Sequence, residues 1–222
     1  MNTKYLVTLF ILLLVGFWIF TSVSALTRID EAADFFVSLL KEYAESNNKA
    51  GMVLFTALAA ISVLFGPFTS VFLVPPAILI WGPWLTFILL MIGWLIGGIG
   101  AYWIGRYVGH PLVSRILSKE KTNEWITFIS NEATFLLAFL FRLALPAETG
   151  YVFGLVKYNF WKYVLIIFLA ELPVGFLIVH AGDAFLNQNI WKFAASGASA
   201  LTLFGVAGYI VQRRRRYALK RQ

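Results

Sequence analysis

Three ionisable side chains lie within stretches that are otherwise fit for hydrocarbon. Arg142 stands in FLFRLALPAETGY over residues 139–151, Glu148 follows six positions later, and Glu171 occupies the middle of an apolar run over residues 160–182. An ionised group at that depth costs a few kcal/mol, so each must face protein, water or a partner. A guanidinium is a permanent cation whose planar fork fits carboxylates and phosphates, whereas a carboxyl group can hold either a charge or a proton. The trio therefore suits anion binding and proton exchange, and an ion pair that merely fixes local structure is the competing role. Six residues turn a straight helix through about 600°, which sets Arg142 and Glu148 on different faces. Pro146 ends that helix, because its ring clashes and its N–H is missing, so the chain can turn and bring Glu148 back toward Arg142. Glu171 shares a helix face with Gly175 and Gly182, while His180 falls on the opposite side and reads as interfacial.

Other chemistry is poorly supplied. There are two histidines and no cysteine, no serine in a nucleophile motif, and acids too scattered to form a catalytic pair. We expect no enzyme, no metal and no cofactor. GIGAYWIG, over residues 98–105, has glycines but lies within a lipid-length helix with no preceding strand, so it lacks the context of a dinucleotide loop.

The elements that must position these residues are membrane helices. Of 222 residues, 60% are hydrophobic and 13% charged, against roughly a quarter charged in soluble domains. Residues 50–105 contain no Asp, Glu, Lys or Arg, far more than the ~20 apolar residues one span requires. Six of the basic residues that make the net charge +7 crowd into residues 213–222. Directly after an apolar segment they act as a topological anchor by the positive-inside rule, not as a nucleic-acid tail.

The pattern predicts an all-α polytopic integral membrane protein with about four transmembrane helices, two re-entrant hairpins and interfacial amphipathic helices. Residues 1–26 form a first, signal-anchor-like span, and residues 27–49 an amphipathic interfacial helix capped by Thr27. A core over 50–182 holds two hairpins, at about 50–82 and 133–156, each built from short apolar pieces interrupted by Pro and Gly. Pro75 and Pro76 mark the first hairpin; Pro146 and Gly154 mark the second. Between them, residues 84–107 make a full span on which Gly93, Gly97, Ala101 and Gly105 recur every fourth residue, a smooth ridge that admits a neighbouring backbone. Residues 110–132 are a polar linker helix. A span over 160–182, a last span over 191–212 and the basic tail 213–222 complete the chain, with the tail assigned to the cytoplasm.

Two segments carry a family resemblance. GGIGAYWIGRYVG (residues 97–109) resembles the glycine-rich span of the DedA family, also called the SNARE-associated or VTT domain. FLFRLALPAETGYVFGLVKYNFWKY (residues 139–163) resembles its second signature, in which Phe, Arg and Pro precede a glycine and an aromatic-rich helix start. The resemblance covers about residues 50–182 and implies a polytopic protein of the bacterial cytoplasmic membrane that moves lipid between leaflets: undecaprenyl phosphate or phospholipid, with possible use of the proton gradient. It assigns Arg142 and Pro146 to the hairpin motif. Many members carry a second arginine where Glu148 stands, and an acidic residue in the first hairpin where this chain has Pro75, Pro76 and apolar neighbours, which points to a divergent branch. The expected partners are membrane lipids with anionic headgroups, and protons. A proton- or ion-coupled solute transporter and a non-transporting scaffold are the alternatives.

Overall fold

The computed structural model describes residues 38, 42, 48–64, 70–108, 134–144 and 149–219, with side chains as far as 213. Among them the structure is helical, with no strand: α1 (Asn48–Leu64), a 3₁₀ turn (Ser70–Leu73), α2 (Val74–Val108), α3 (Phe135–Ala144), α4 (Thr149–Leu155), α5 (Phe160–Leu186) and α6 (Ile190–Leu219). The expected first span, the interfacial helix and the polar linker lie outside the described residues, as do Pro146, Glu148 and Gly109.

Helix α2 is two helices joined at Gly82, where φ 75° and ψ 168° interrupt the ladder. That backbone conformation is essentially reserved for glycine, and Pro83 then restarts the helix with its preset φ. Pro75 and Pro76, which mark the first hairpin, start a helix. They sit in the first turn of the 74–81 piece, where missing N–H groups cost nothing.

The direction of each element follows from what its glycines touch. Gly93 meets Thr56 and Ala59, Gly97 meets Ala60 and Val63, and Gly100 meets Leu64, so α1 runs parallel to the 83–108 span. The chain then comes back: the indole N–H of Trp94, midway along the span, donates to Ser70 Oγ at 2.8 Å, and that of Trp81 donates to Asn48 Oδ1 at 2.5 Å. Residues 48–64 and 70–81 therefore form the two arms of a hairpin whose feet meet at the end of the molecule marked by Asn48. Helix α5 runs antiparallel to α2, since Gly182 touches Val74 and Ile78, Gly175 touches Phe87 and Met91, and Tyr163 donates to the Gly98 carbonyl at 2.9 Å. Asn159 and Asn189 cap α5 and α6 through their side-chain oxygens, satisfying one of the free N–H groups at each helix start.

The second hairpin opens toward the opposite end, marked by Arg106. Residues Leu137 and Ala138 of α3 belong to the core that contains Tyr163, Ile166 and Val211, whereas Leu143 packs with Ala170 and Ala207. Helix α3 thus leads inward and α4 leads back out, from Gly150 beside Ala101 to Gly154 beside Tyr102 and Arg106. The two hairpins touch where the Tyr151 hydroxyl donates to the Leu64 carbonyl at 2.5 Å.

Among the described residues, three helices are long and apolar enough to cross a membrane: Ser70–Val108, Phe160–Leu186 and Ile190–Arg213. They contain the ranges 84–107, 160–182 and 191–212, and Ser70–Val108 also takes in the arm of the first hairpin before Gly82. The basic stretch after residue 212 is not a separate tail at its start. Helix α6 continues to Leu219, since Arg, Ala and Leu are strong helix formers.

The ridge of small residues serves two neighbours. Gly93 and Gly97 admit the α1 backbone, whereas Ala101 and Gly105 face α4, with the Tyr151 carbonyl lying where a Gly105 side chain would stand. The opposite face shows Ile88, Ile92 and Ile96 exposed at four-residue spacing, as acyl chains require.

Candidate functional site

Arg142 lies in the last turn of α3 with only 2% of its surface exposed. Its depth is set by the apolar neighbours Phe141 and Leu143, both buried. Phe141 contacts the Phe153 ring edge-on at 6.0 Å, which locks the last turn of α3 against α4. The guanidinium is thereby held among three helices and cannot reach outward along the hairpin.

Its partners come from two other elements. Nη2 donates to Glu171 Oε1 in an ion pair, and Nη1 donates to Thr149 Oγ1 at 3.0 Å. Glu171 and Thr149 are themselves buried. Glu171 is carried on α5, where Pro173 two residues later cannot donate to the Leu169 carbonyl, so the helix lacks one rung beside the pair. Nε–H is buried and finds no acceptor among the described residues. A guanidinium offers five donors, and a buried donor left unmade costs about 1–3 kcal/mol. Among the described residues the arrangement is a cation neutralised on one side, with its Nε–H unmatched on another.

Of the residues singled out from sequence, the structure joins Arg142 with Glu171. Glu148, which the hairpin turn was expected to deliver to Arg142, lies outside the described residues, as does Pro146. Thr149 escaped the sequence reading, although a hydroxyl residue seven positions after a buried arginine, across a proline turn, was a usable signal. Gly154 packs its bare backbone on Tyr102 and Arg106 and keeps α4 in place behind Thr149. His180 stacks on Phe176 with ring centroids 3.8 Å apart and meets Trp84 edge-on, near the Asn48 end and away from Glu171. No group of three His, Cys, Asp or Glu side chains suited to a metal occurs among the described residues.

A family model of the VTT domain matches residues 56–184, more than half of the chain. The chain belongs to the VTT-domain, or DedA, family. The matched region runs from within α1 to near the end of α5, so it contains most of the first hairpin, the second hairpin and the Arg142–Glu171 pair, and leaves out α6. A relative is the "uncharacterized membrane protein YkoX" of Bacillus subtilis (strain 168), 31% identical over 112 residues, 47% of this chain and 49% of that protein. The chain thus spans about half the length of this curated relative. No solved structure matches. With its apolar helices, the VTT domain makes this an integral membrane protein of a family commonly linked to membrane transport.

Proposed function

We propose that this protein moves phosphate-bearing lipids between the two leaflets, as a flippase or scramblase, with Arg142 as the contact for the headgroup phosphate. The carrying observation is the guanidinium itself: nearly sealed from solvent, fixed by Thr149 and Glu171, and with an Nε donor that no described residue fills. Phosphate accepts paired N–H donors as carboxylate does, so Glu171 is a resident anion occupying the place a substrate anion would compete for. A carboxyl that can bind a proton when displaced gives the cycle a means of proton coupling. Two hairpins that open to opposite ends supply what alternating access needs, with the Tyr151–Leu64 bond where they meet.

The reading extends to placement. Arg106, Lys157, Lys162 and Arg213 all lie at one end of the helical body, which by the positive-inside rule faces the cytoplasm of a bacterial cell, with the C-terminus. Binding and release of lipid involve no covalent step, so no cofactor or bond cleavage enters.

The test is redistribution of a labelled phospholipid in vesicles reconstituted with full-length protein. Arg142→Gln is expected to abolish redistribution while the protein stays folded; transport at the wild-type rate would overturn the proposal. The ion pair itself favours one second reading, a scaffold in which Arg142 and Glu171 only tie α3 to α5. In that case a variant with both groups removed would retain full cellular function.

A further inference from the structure

The Arg106 end carries a second arrangement that the buried pair does not use. Arg106 is the last basic residue of α2, and its side chain is exposed but not free to wander. Nη1 donates to the Tyr102 hydroxyl at 2.8 Å, and that hydroxyl donates to the Tyr158 carbonyl at 2.6 Å. The guanidinium carbon lies 6.0 Å from the Tyr102 ring centre and 5.9 Å from that of Trp103, within cation–π range. Next to it, the Trp103 and Tyr107 rings stack 5.3 Å apart at 8°, and Tyr107 is 77% exposed.

Lys157 is brought to the same place by the end of α4. Its N–H donates to the Gly154 carbonyl and that of Tyr158 to the Phe153 carbonyl, both at 3.0 Å, which is the Schellman pattern. Its φ of 54° is a left-handed conformation normally given to glycine. Gly154 also lies directly against the Arg106 backbone N–H. Two exposed cations therefore flank the Tyr102–Tyr158 bond, beside a stacked indole and phenol. The carboxylates among the described residues are elsewhere: Glu171 in the core, Asp183 near the end of α5, and Glu42 ahead of Asn48 at the far end.

We infer that Arg106, Lys157, Trp103 and Tyr107 form a surface site for the phosphodiester headgroup of an anionic glycerophospholipid such as phosphatidylglycerol. Indole and phenol rings belong at headgroup depth, and the alkyl stems of Arg and Lys let their charged ends reach phosphate from there. Two cations without a nearby described carboxylate favour a net-negative headgroup over a zwitterionic one. The site stands apart from Arg142 and does not depend on lipid being transported.

The experiment is lipid titration of the detergent-solubilised full chain, read by native mass spectrometry. At about 1 kcal/mol per basic residue near an anionic lipid surface, Arg106→Gln with Lys157→Gln should weaken phosphatidylglycerol binding about thirtyfold. Lys157→Gln alone should weaken it about fivefold, and this variant keeps the backbone comfortable, because Gln188 adopts φ 52° in the equivalent turn after α5. Phosphatidylcholine binding should change less than twofold. Lys49→Gln with Lys192→Gln, at the opposite end, should leave phosphatidylglycerol binding unchanged. Wild-type affinity in the folded Lys157→Gln variant, or an equal loss in the opposite-end control, would overturn the site. Displacement of phosphatidylglycerol by millimolar inorganic phosphate would overturn the lipid assignment in favour of free phosphate.

Discussion

The Arg142–Glu171 pair predicts an asymmetric thermodynamic cycle. Glu171→Leu leaves a guanidinium buried beside Thr149 alone, and a guanidinium cannot shed its charge. Breaking a buried pair in this way costs about 3–5 kcal/mol. Arg142→Met leaves a carboxyl group, which unlike a guanidinium has a neutral form, so the loss is that of its hydrogen bonds, about 1–3 kcal/mol. Removing both replaces a pair by apolar side chains of similar size, which is commonly neutral to within about 1 kcal/mol and sometimes stabilising. The coupling energy should therefore be at least about 3 kcal/mol. The assay is reversible unfolding of the detergent-solubilised protein, with each variant also reconstituted for lipid redistribution. If the two single losses simply add to within about 0.5 kcal/mol, the side chains do not act as a pair. If the double variant is stable yet moves no lipid, the pair has a role beyond holding the fold. A stable double variant with full lipid redistribution removes Arg142 from the transport proposal.

Other expectations concern the frame around the pair. Gly154→Ala would set a methyl group against the Tyr102 carbonyl and 2.8 Å from the Arg106 nitrogen; since both are backbone, α4 must shift, at about 1–3 kcal/mol, seen as a lower unfolding midpoint. Gly82→Ala meets open space but the same forbidden backbone region, so its cost, about 1–3 kcal/mol, should appear with no change in side-chain packing in the near-ultraviolet spectrum. Ser70→Ala leaves the Trp94 indole N–H buried without its acceptor, a loss of about 1–3 kcal/mol that should vanish when Trp94 is replaced by Phe in the same variant. Tyr151→Phe removes the bond to Leu64 and should speed hydrogen exchange at the end of α1, leaving the middle of α5 protected.

How much of this was legible without coordinates depends on the range over which each residue acts. The break in α2 at Gly82 and Pro83 is a local property, a backbone conformation only glycine adopts followed by a ring that fixes φ. The ridge of Gly93, Gly97, Ala101 and Gly105 was equally readable as a close-packing face, since four-residue spacing survives in any helix. What spacing could not say is that one ridge receives two partners, α1 below and α4 above. The role of Pro75 and Pro76 in the first hairpin is decided in a related way: a proline stops a helix or starts one depending on whether a turn precedes it, and the 3₁₀ turn at residues 70–73 makes them helix starters.

The site divides along the same line. Arg142 and Glu171 each stood out, because a charge within an apolar run is costly wherever the helix lies. Their pairing did not, since 29 residues and a hairpin separate them and no periodicity links α3 to α5. The nearer acid, Glu148, drew the expectation by being close in sequence, and it lies outside the described residues. Membrane surroundings favour answers from farther away. Acyl chains offer nothing to a charge facing outward on its own helix, so a buried arginine is answered from across the bundle. Arg142 is answered in this way by Glu171, and by Thr149, which α4 brings back beside it. The same physics gives the Arg142 Nε–H its interest: no described residue accepts from it, and in hydrocarbon surroundings such a donor draws an anion.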